Sequence, residues 1–419
     1  MRRSFWNLVL FLFVLILIQK GVAGDIDDNN IEDKTDLAEW DKYKSKYPLP
    51  MPMLVMQHGY PVETHTVTTD DGYILTLHRI PYSDKSNKTE VTRPVVFLQH
   101  GLLCSSVDWV IMGPAYMLSD AGYDVWLGNA RGNVYSSKHK TLKTSSSKYW
   151  AFSWHEMGVY DLPAVIDYIL ENAEEPDLYY VGHSMGTTMF YVLTSIKPQY
   201  NTKIRHMVAL APVAYLRNTK SLFAAATRYM PKGMITELLY NRPFFPNSKY
   251  VNWPLRTLCK TGAVTQGLCT NILFQIGGFN SNQINQTMLP IIFSYFPAGS
   301  SLKSWAHYGQ LIRSGKFRQY DFGIVRNLIK YGNTKPPEYN FVHINSSVTL
   351  IVGPNDWLAS LEDAGILYNS LPNPTEYYLV HHPEFNHFDF LWAIDVKTLV
   401  NNKVLEVLNH NFHNLNLVN

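Results

Sequence analysis

Charged residues, cysteines and metal-binding patterns are scarce in this sequence. Charged side chains make up 17% of the 419 residues and hydrophobic ones 46%, which excludes a disordered chain and leaves enough apolar surface for one large domain with an insertion, or for two domains. The net charge of +2 gives no reason to expect nucleic-acid binding. The histidines lack the spacing of metal ligands and no phosphate-binding glycine loop is present, so we expect neither a metal nor a cofactor.

Long apolar runs are also absent, apart from a short one at the N-terminus. The run Phe5–Ile18 follows Arg2 and Arg3 and precedes a few small residues. This order is typical of a secretory signal peptide, which we place at residues 1–24. An uncleaved anchor is the alternative, but a membrane span needs roughly 20 apolar residues and this run is shorter. We expect a polar segment at 25–46 and a protein of the secretory pathway, extracellular or lysosomal, with no transmembrane segment in the mature chain.

The three cysteines and three glycosylation sequons agree with that route. Cys259 and Cys269 lie close together in the sequence, and an oxidising lumen would favour a disulfide between them. Cys104 is then left over, and we interpret it as a small buried hydrophobic residue. The sequons, each a weak signal alone, begin at Asn87, Asn285 and Asn345.

A sharp turn flanked by glycines lies near the middle of the chain. The apolar run Leu178–His183 leads into Ser184 and then into a helical pattern, and Gly182 and Gly186 stand two residues before and after the serine. This Gly-x-Ser-x-Gly pattern is typical of a nucleophile elbow, in which close backbone packing leaves no room for side chains at the two glycines. A plain glycine turn between a strand and a helix is the alternative. We predict that Ser184 is the nucleophile.

The segments around this turn alternate between strand and helix patterns. Unbroken apolar runs are typical of buried parallel strands, and an antiparallel hairpin is predicted before them. The rhythm predicts an α/β-hydrolase type of fold, in which a mostly parallel central sheet is covered by helices on both faces. The predicted strands are Thr64–Thr69, Tyr73–Ile80, Pro94–Gln99, Asp124–Gly128, Leu178–His183, Ile204–Leu210, Ser347–Val352 and Glu376–Val380.

This rhythm breaks in one long region, which we interpret as an insertion. Residues 215–340 mix aromatic residues, methionine, proline and glycine without a clear period. We expect a mainly helical subdomain with its own core, which covers the serine as a cap or lid and supplies an apolar pocket for a long acyl chain. The two parts of the hydrolase core would then be residues 47–214 and 341–419.

Candidates for the acid and the base follow two late strands. In this kind of hydrolase the chain order is serine, acid, histidine, and the last two lie on loops at the carboxyl ends of strands. Asp356 and His387 fall at these places. Asp363 is a weaker candidate because it lies beyond the strand end in a predicted helix, and His381 and His382 are weaker because they continue the strand.

Backbone N–H groups near the serine complete the predicted site. We assign the oxyanion hole to the N–H groups of Leu102, in the turn after the strand that ends at Gln99, and of Met185, at the start of the helix. His100 is an alternative base, but its place beside the turn favours a structural hydrogen-bonding role.

Longer motifs surround these candidates. They are QHGLL at 99–103, AGYDVWLGNARGN at 121–133, YDLPAVIDYI at 160–169, GHSMG at 182–186, LAPVA at 210–214, SGKFRQYDFG at 314–323 and NHFDFLWA at 386–393. In these motifs the chain resembles the acid lipase family, which includes gastric and lysosomal lipases and many insect relatives. The resemblance extends from about Pro48 to the last helix and includes the insertion.

The resemblance implies a serine lipase that hydrolyses triacylglycerols, and in some members steryl esters, at a lipid–water interface. It implies Ser184, Asp356 and His387 as the triad, Leu102 and Met185 as the oxyanion pair, and a disulfide in the cap between the two neighbouring cysteines. These lipases usually have glutamine after the serine, where this chain has Met185. The backbone N–H survives that change, but any hydrogen bond from a glutamine side chain is lost.

Two other functions fit parts of this pattern. A carboxylesterase of short, soluble esters would share the triad, but the long aromatic insertion would then have no acyl chain to hold. A non-catalytic lipid-binding protein on a lipase fold would be expected to have lost a triad member, and all three are present here.

Overall fold

The computed structural model covers most of the chain in five stretches. It describes residues 48–86, 93–222, 226–227, 241–247 and 251–416. The predicted signal peptide at 1–24, the polar segment at 25–46 and the sequon at Asn87 lie outside the described residues.

A single large sheet organises the described chain. Its nine strands are β1 Glu63–Thr68, β2 Tyr73–Ile80, β3 Val95–Gln99, β4 Asp124–Leu127, β5 Lys138–His139, β6 Leu178–His183, β7 Ile204–Leu210, β10 Ser347–Val352 and β11 Pro374–Leu379. Their order across the sheet is β1-β2-β4-β3-β6-β7-β10-β11, with β5 paired to β2. The pairings from β4 to β11 are parallel, whereas β2 pairs antiparallel with β1, β4 and β5. A separate two-stranded sheet pairs β8 Pro243–Phe244 with β9 Ser300–Ser301.

The central strands are buried along their whole length. Every residue of β3, β4 and β6 is buried, as expected for a parallel sheet that is covered on both faces. The predicted strands are confirmed to within one residue at each end, except that β11 begins two residues earlier than predicted. The hairpin of β1 and β2 is also confirmed.

Helices fill the connections between strands. The helix after the serine packs closely on the sheet, since nearly all its residues are buried. The α-helices are α1 Met51–Gln57, α2 Asp108–Ile111, α3 Pro114–Asp120, α4 Trp154–Glu156, α5 Leu162–Ala173, α6 Met185–Ile196, α7 Asn252–Leu258, α8 Gln266–Gly277, α9 Leu289–Tyr295, α10 Leu302–Ser314, α11 Ile324–Tyr331, α12 Leu361–Ser370, α13 Asp389–Trp392 and α14 Asn402–Asn416. Short π-helices cover Met157–Asp161 and Lys397–Asn401, and 3-10 helices cover Pro198–Lys203 and Phe341–His343.

The insertion shares its core with the sheet. Buried side chains of α8, α9 and α10 belong to the same apolar cluster as the central strands, and among the described residues only a small second cluster stands apart. That second cluster consists of Ala226, Phe244, Leu302 and Trp305. The expectation of a subdomain with its own core is therefore wrong for most of the described insertion. An apolar pattern shows that a side chain is buried but not which surface it packs against.

A buried arginine fastens the loop after β4 to its surroundings. Arg131 is fully buried, and its guanidinium lies 2.6 Å from the carboxylate of Asp161 and also pairs with Asp71. Burial acts to lower the pKa of Arg131, but the charges and hydrogen bonds of the two carboxylates outweigh it and raise the pKa. Removing one partner of such a group costs about 3–5 kcal/mol, so this loop is firmly held.

Candidate active site

The serine occupies a strained turn between β6 and α6. Ser184 has φ 51° and ψ −113°, which is uncommon for a residue other than glycine. A Cβ atom on Gly186 would lie 2.3 Å from the carbonyl oxygen of Gln99, and one on Gly182 would lie 3.0 Å from the backbone of Gly186. Gly186 is therefore sterically required, because helix α6 begins in direct contact with the end of β3, and the space at Gly182 is tight.

The predicted triad residues form one continuous chain of hydrogen bonds. The Oγ atom of Ser184 lies 2.8 Å from Nε2 of His387, and Nδ1 of His387 lies 2.8 Å from Oδ2 of Asp356. The other carboxylate oxygen of Asp356 accepts from the N–H groups of Leu358 at 2.8 Å and Ala359 at 2.7 Å. A carboxylate can only accept, so Nδ1 carries the imidazole proton, and Nε2 is left to accept from the serine hydroxyl.

The two predicted oxyanion donors belong to residues that neighbour the serine in the chain or in the fold. Met185 is the first residue of α6, and Leu102 follows the Gly101 turn at the end of β3. The turn is tight against the elbow, since a Cβ atom on Gly101 would lie 3.2 Å from Cβ of Ser184. Within the described ranges, neither the N–H of Leu102 nor that of Met185 has a protein acceptor. Both donors are thus available to an incoming oxygen atom, and their assignment remains a prediction.

The weaker candidates for acid and base lie elsewhere. Asp363 is in α12, where its carboxylate accepts from the backbone N–H of Asn218 at 2.8 Å and from the side-chain amide of Asn218 at 2.9 Å. His100 donates from Nδ1 to the carbonyl of Gly101 and accepts at Nε2 from the N–H of Ala130. Burial lowers the pKa of His100 to about 4, so it stays neutral. The expected structural role of His100 is confirmed.

The residue before the serine supports the loop that carries His387, which we call the histidine loop. Nε2 of His183 donates to the carbonyl oxygen of His387 at 3.1 Å, and the two imidazole rings lie 5.1 Å apart. Burial lowers the pKa of His183 well below its usual range, so this ring remains uncharged beside the site. His183 thus fixes the backbone of His387 without adding a charge.

A segment that no sequence motif revealed joins the loop of Asp356, which we call the acid loop, to the histidine loop. The carbonyl oxygen of Gly277 accepts from the N–H groups of both Trp357, at 3.0 Å, and His387, at 3.2 Å. The carbonyl of Gly278 accepts from the side chain of Asn386 at 3.0 Å. We call residues 277–280 the bridging segment. It belongs to the insertion, so part of the insertion is built into the site itself.

Close packing makes glycine necessary in the bridging segment. Gly278 has φ +118°, and a Cβ atom there would lie 2.0 Å from the carbonyl oxygen of Asn355. The one signal in the sequence is that 277–278 is the only pair of adjacent glycines. Glycine pairs also occur in ordinary turns, so that signal could not reveal two backbone hydrogen bonds to distant loops.

A buried carboxyl group follows the histidine and completes this network. Asp389 accepts from the backbone N–H of Asn386 and from the side chain of Asn280, both at 2.7 Å. Burial raises the pKa of Asp389 to about 7, with a smaller contribution from the charge of Asp356, against the hydrogen bonds that lower it. The histidine loop is therefore tied to the bridging segment by a group that can titrate in mildly acidic solution.

The cysteines and two of the sequons are the remaining predicted sites among the described residues. Cys259 and Cys269 form a disulfide between α7 and α8. Cys104 is a buried free thiol, and burial raises its pKa well above the usual range. Asn285 is half-buried and Asn345 is exposed, and their glycosylation remains a prediction.

Metal-binding clusters and membrane-spanning helices are both absent from the described ranges. No group of three or more His, Cys, Asp or Glu residues there could hold a metal ion. No helix within those ranges is long and apolar enough to cross a bilayer.

Family models match the chain over most of its length. The model for the alpha/beta hydrolase fold matches residues 94–394, and the model for a partial alpha/beta-hydrolase lipase region matches residues 51–113.

Curated relatives match most of the chain. Lipase 3 of Drosophila melanogaster is 42% identical over 83% of this chain and 90% of its own length. The gastric triacylglycerol lipase of Homo sapiens is 39% identical over 85% of this chain and 89% of its own. The lysosomal acid lipase/cholesteryl ester hydrolase of Homo sapiens is 35% identical over 97% of this chain and 99% of its own.

Solved structures share the fold at low sequence identity. A lipase candidate from Sulfolobus solfataricus has a TM-score of 0.57 at 13% identity, over 83% of this chain and 94% of that one. A membrane phospholipase A has a TM-score of 0.50 at 11% identity, over 98% of this chain and 99% of that one. At such identities the likeness concerns the fold alone.

Proposed function

This chain belongs to the acid lipases of the α/β-hydrolase fold family and is therefore a carboxylic ester hydrolase, and we propose that it cleaves neutral lipids through an acyl-enzyme on Ser184. Triacylglycerols are the proposed main substrate, with steryl esters as a second class. The names of the two human relatives, which refer to triacylglycerol and to cholesteryl ester, support this choice. We further propose that it acts in the secretory pathway, extracellularly or in lysosomes.

The observation that carries the proposal is the unbroken series of hydrogen bonds from serine to carboxylate. His387 is in position to take the proton of Ser184 as the hydroxyl oxygen attacks the ester carbonyl, because the two atoms are already 2.8 Å apart. Asp356 fixes the tautomer of the imidazole and stabilises the imidazolium that forms. Two backbone N–H groups donate to its other oxygen atom and hold the carboxylate in place.

The N–H groups of Leu102 and Met185 are proposed to bind the oxyanion. One such donor contributes about 3 kcal/mol to the transition state in related acyl transfers. Collapse of the tetrahedral intermediate releases the alcohol, which receives the proton from His387 and leaves the acyl group on Ser184. Water activated by the same histidine then releases the fatty acid and restores the enzyme.

Hydrolysis of emulsified triolein by the wild type and by Ser184→Ala tests this function. We would measure both from about pH 4 to about pH 8, with p-nitrophenyl butyrate and cholesteryl oleate as further substrates. The proposal expects long-chain activity that the substitution abolishes. Activity that falls steeply from short to long acyl chains would indicate a carboxylesterase instead. Binding of lipid without turnover of any ester would indicate a binding protein.

A further inference from the structure

Helix α11 exposes four aliphatic side chains to solvent. Ile324, Val325, Leu328 and Ile329 are 70%, 70%, 55% and 80% exposed. Their spacing of one and four residues places them along one face of the helix. Single exposed hydrophobic residues are ordinary, but four neighbours on eight residues of helix form a contiguous apolar surface, which indicates a binding site.

The rest of α11 is polar, and its only charges are positive. Asn327 is buried and holds the helix to the protein through hydrogen bonds to the side chain of Asp321 at 2.8 Å and the carbonyl of Thr334 at 3.0 Å. Arg326 and Lys330 are exposed and lie away from the apolar face, and the helix contains no acidic residue. An apolar face beside a cationic one is the pattern of helices that lie in the plane of a lipid surface.

Contacts connect α11 to the end of the molecule that carries the site. The ammonium group of Lys330 lies 4.6 Å from the ring centre of Phe322, and that of Lys303 lies 5.4 Å from the same ring. Lys303 in turn lies 3.7 Å from the carboxylate of Glu156 in α4. Helix α4 precedes α5 in the connection from β4 to β6, so it begins at the carboxyl edge of the parallel sheet, and that edge also bears Ser184.

We propose that the exposed face of α11 docks the enzyme on a negatively charged lipid surface, with the four aliphatic side chains inserted among the lipid chains and with Arg326 and Lys330 at the level of the head groups. The inference rests on the proposed function, since a lipase must reach substrate at such a surface. Fatty acid released by hydrolysis makes that surface negative, so docking strengthens as the reaction proceeds.

A vesicle-binding experiment with two matched double variants tests this docking. All proteins would carry Ser184→Ala, so that binding is measured without hydrolysis. The test variant is Val325→Ser with Ile329→Ser. The control is Val342→Ser with Ile366→Ser, whose original side chains are 70% and 45% exposed on other elements. Flotation with phosphatidylcholine vesicles that contain oleic acid gives the partition coefficient, and circular dichroism checks that each variant is folded.

We expect the test variant to partition at least about tenfold more weakly than its parent, because two aliphatic side chains no longer enter the lipid. The control variant should bind like the parent, and vesicles of phosphatidylcholine alone should bind the parent less. Equal binding by the test variant and the control overturns the proposal. A parent dimer that the test variant dissociates, with vesicle binding unchanged, assigns the face to a second copy and also overturns it. Lack of esterase activity in the wild type would refute the proposed function without affecting this result.

Discussion

The two halves of the candidate site are held in different ways. Ser184 is placed by one continuous stretch of chain, in which steric contact with the end of β3 fixes the turn. Asp356 and His387 lie on separate loops, and the bridging segment of the insertion joins these loops through a shared carbonyl. The serine half therefore depends on the sheet, whereas the acid and histidine half depends on a part of the chain outside the sheet.

The largest expected effect distinguishes Asp356, the assigned acid, from Asp363, the weaker candidate. Asp356→Asn should lower kcat about 10⁴-fold, because an amide would favour the wrong imidazole tautomer and would not stabilise the imidazolium. Asp363→Asn is the matched control, since that carboxylate interacts with Asn218 and not with the histidine. Steady-state kinetics on p-nitrophenyl butyrate would measure both. Equal losses in the two variants would contradict the assignment of the acid.

A second substitution breaks the serine half. Gly186→Ala places a Cβ atom 2.3 Å from a backbone oxygen of β3, so the sheet and α6 must separate. We expect the free energy of unfolding to fall by about 3 kcal/mol, together with a loss of activity. Gly365→Ala is the control, because that site lies in α12 and has open space around it. Urea unfolding followed by circular dichroism gives the comparison, and unchanged stability in Gly186→Ala would refute the steric argument.

A third substitution breaks the bridging segment. Gly278→Ala forces the segment away from the acid loop, and we expect kcat to fall about 10²-fold because a displacement of roughly 1 Å misaligns the histidine. Gly262→Ala also adds a side chain at positive φ in the insertion, but with no atom within 4 Å, and should leave kcat nearly unchanged. If both variants keep full activity, the bridging segment does not position the site. The free energy of unfolding of the same variants would show whether the acid and histidine half of the site is less tightly coupled to the sheet than the serine half.

The smallest expected effect concerns pH. The folded protein keeps the proton of Asp389 up to about pH 7, whereas an unfolded chain releases it near about pH 4. The unfolded state thus binds fewer protons between these values, so the free energy of unfolding falls as the pH rises through this range and levels off above it. Asp389→Asn keeps an acceptor oxygen and removes the titration.

Urea unfolding at two pH values measures this contribution. Between about pH 5 and about pH 7, the wild type should lose roughly 2 kcal/mol more stability than Asp389→Asn. Because Asp108 also has a pKa raised to about 6 by burial, only the difference between the two proteins isolates Asp389. Identical pH dependence in wild type and variant would show that Asp389 does not carry the proton.

The features that depend on residues adjacent in the sequence could be predicted. Unbroken apolar runs located the strands of the sheet, and the steric demand at Gly182 and Gly186 located the elbow. Asp356 and His387 could be named because parallel strands end at a common edge. The bridging segment could not be found, because a backbone carbonyl such as that of Gly277 has no residue type to reveal it. The separate core expected for the insertion was wrong because periodicity does not identify the packing partner.

The place where the insertion leaves and rejoins the sheet has a consequence for how such enzymes diversify. The chain leaves the sheet after β7 and returns in β10, yet these two strands are direct neighbours, with Leu210 opposite Ile351. Evolution can therefore lengthen, shorten or exchange the insertion without altering the order or register of the strands. The bridging segment limits that freedom, because a replacement that lacks an equivalent carbonyl would leave the N–H groups of Trp357 and His387 without their acceptor. Substrate range can change through the insertion, provided that these few residues are inherited with it.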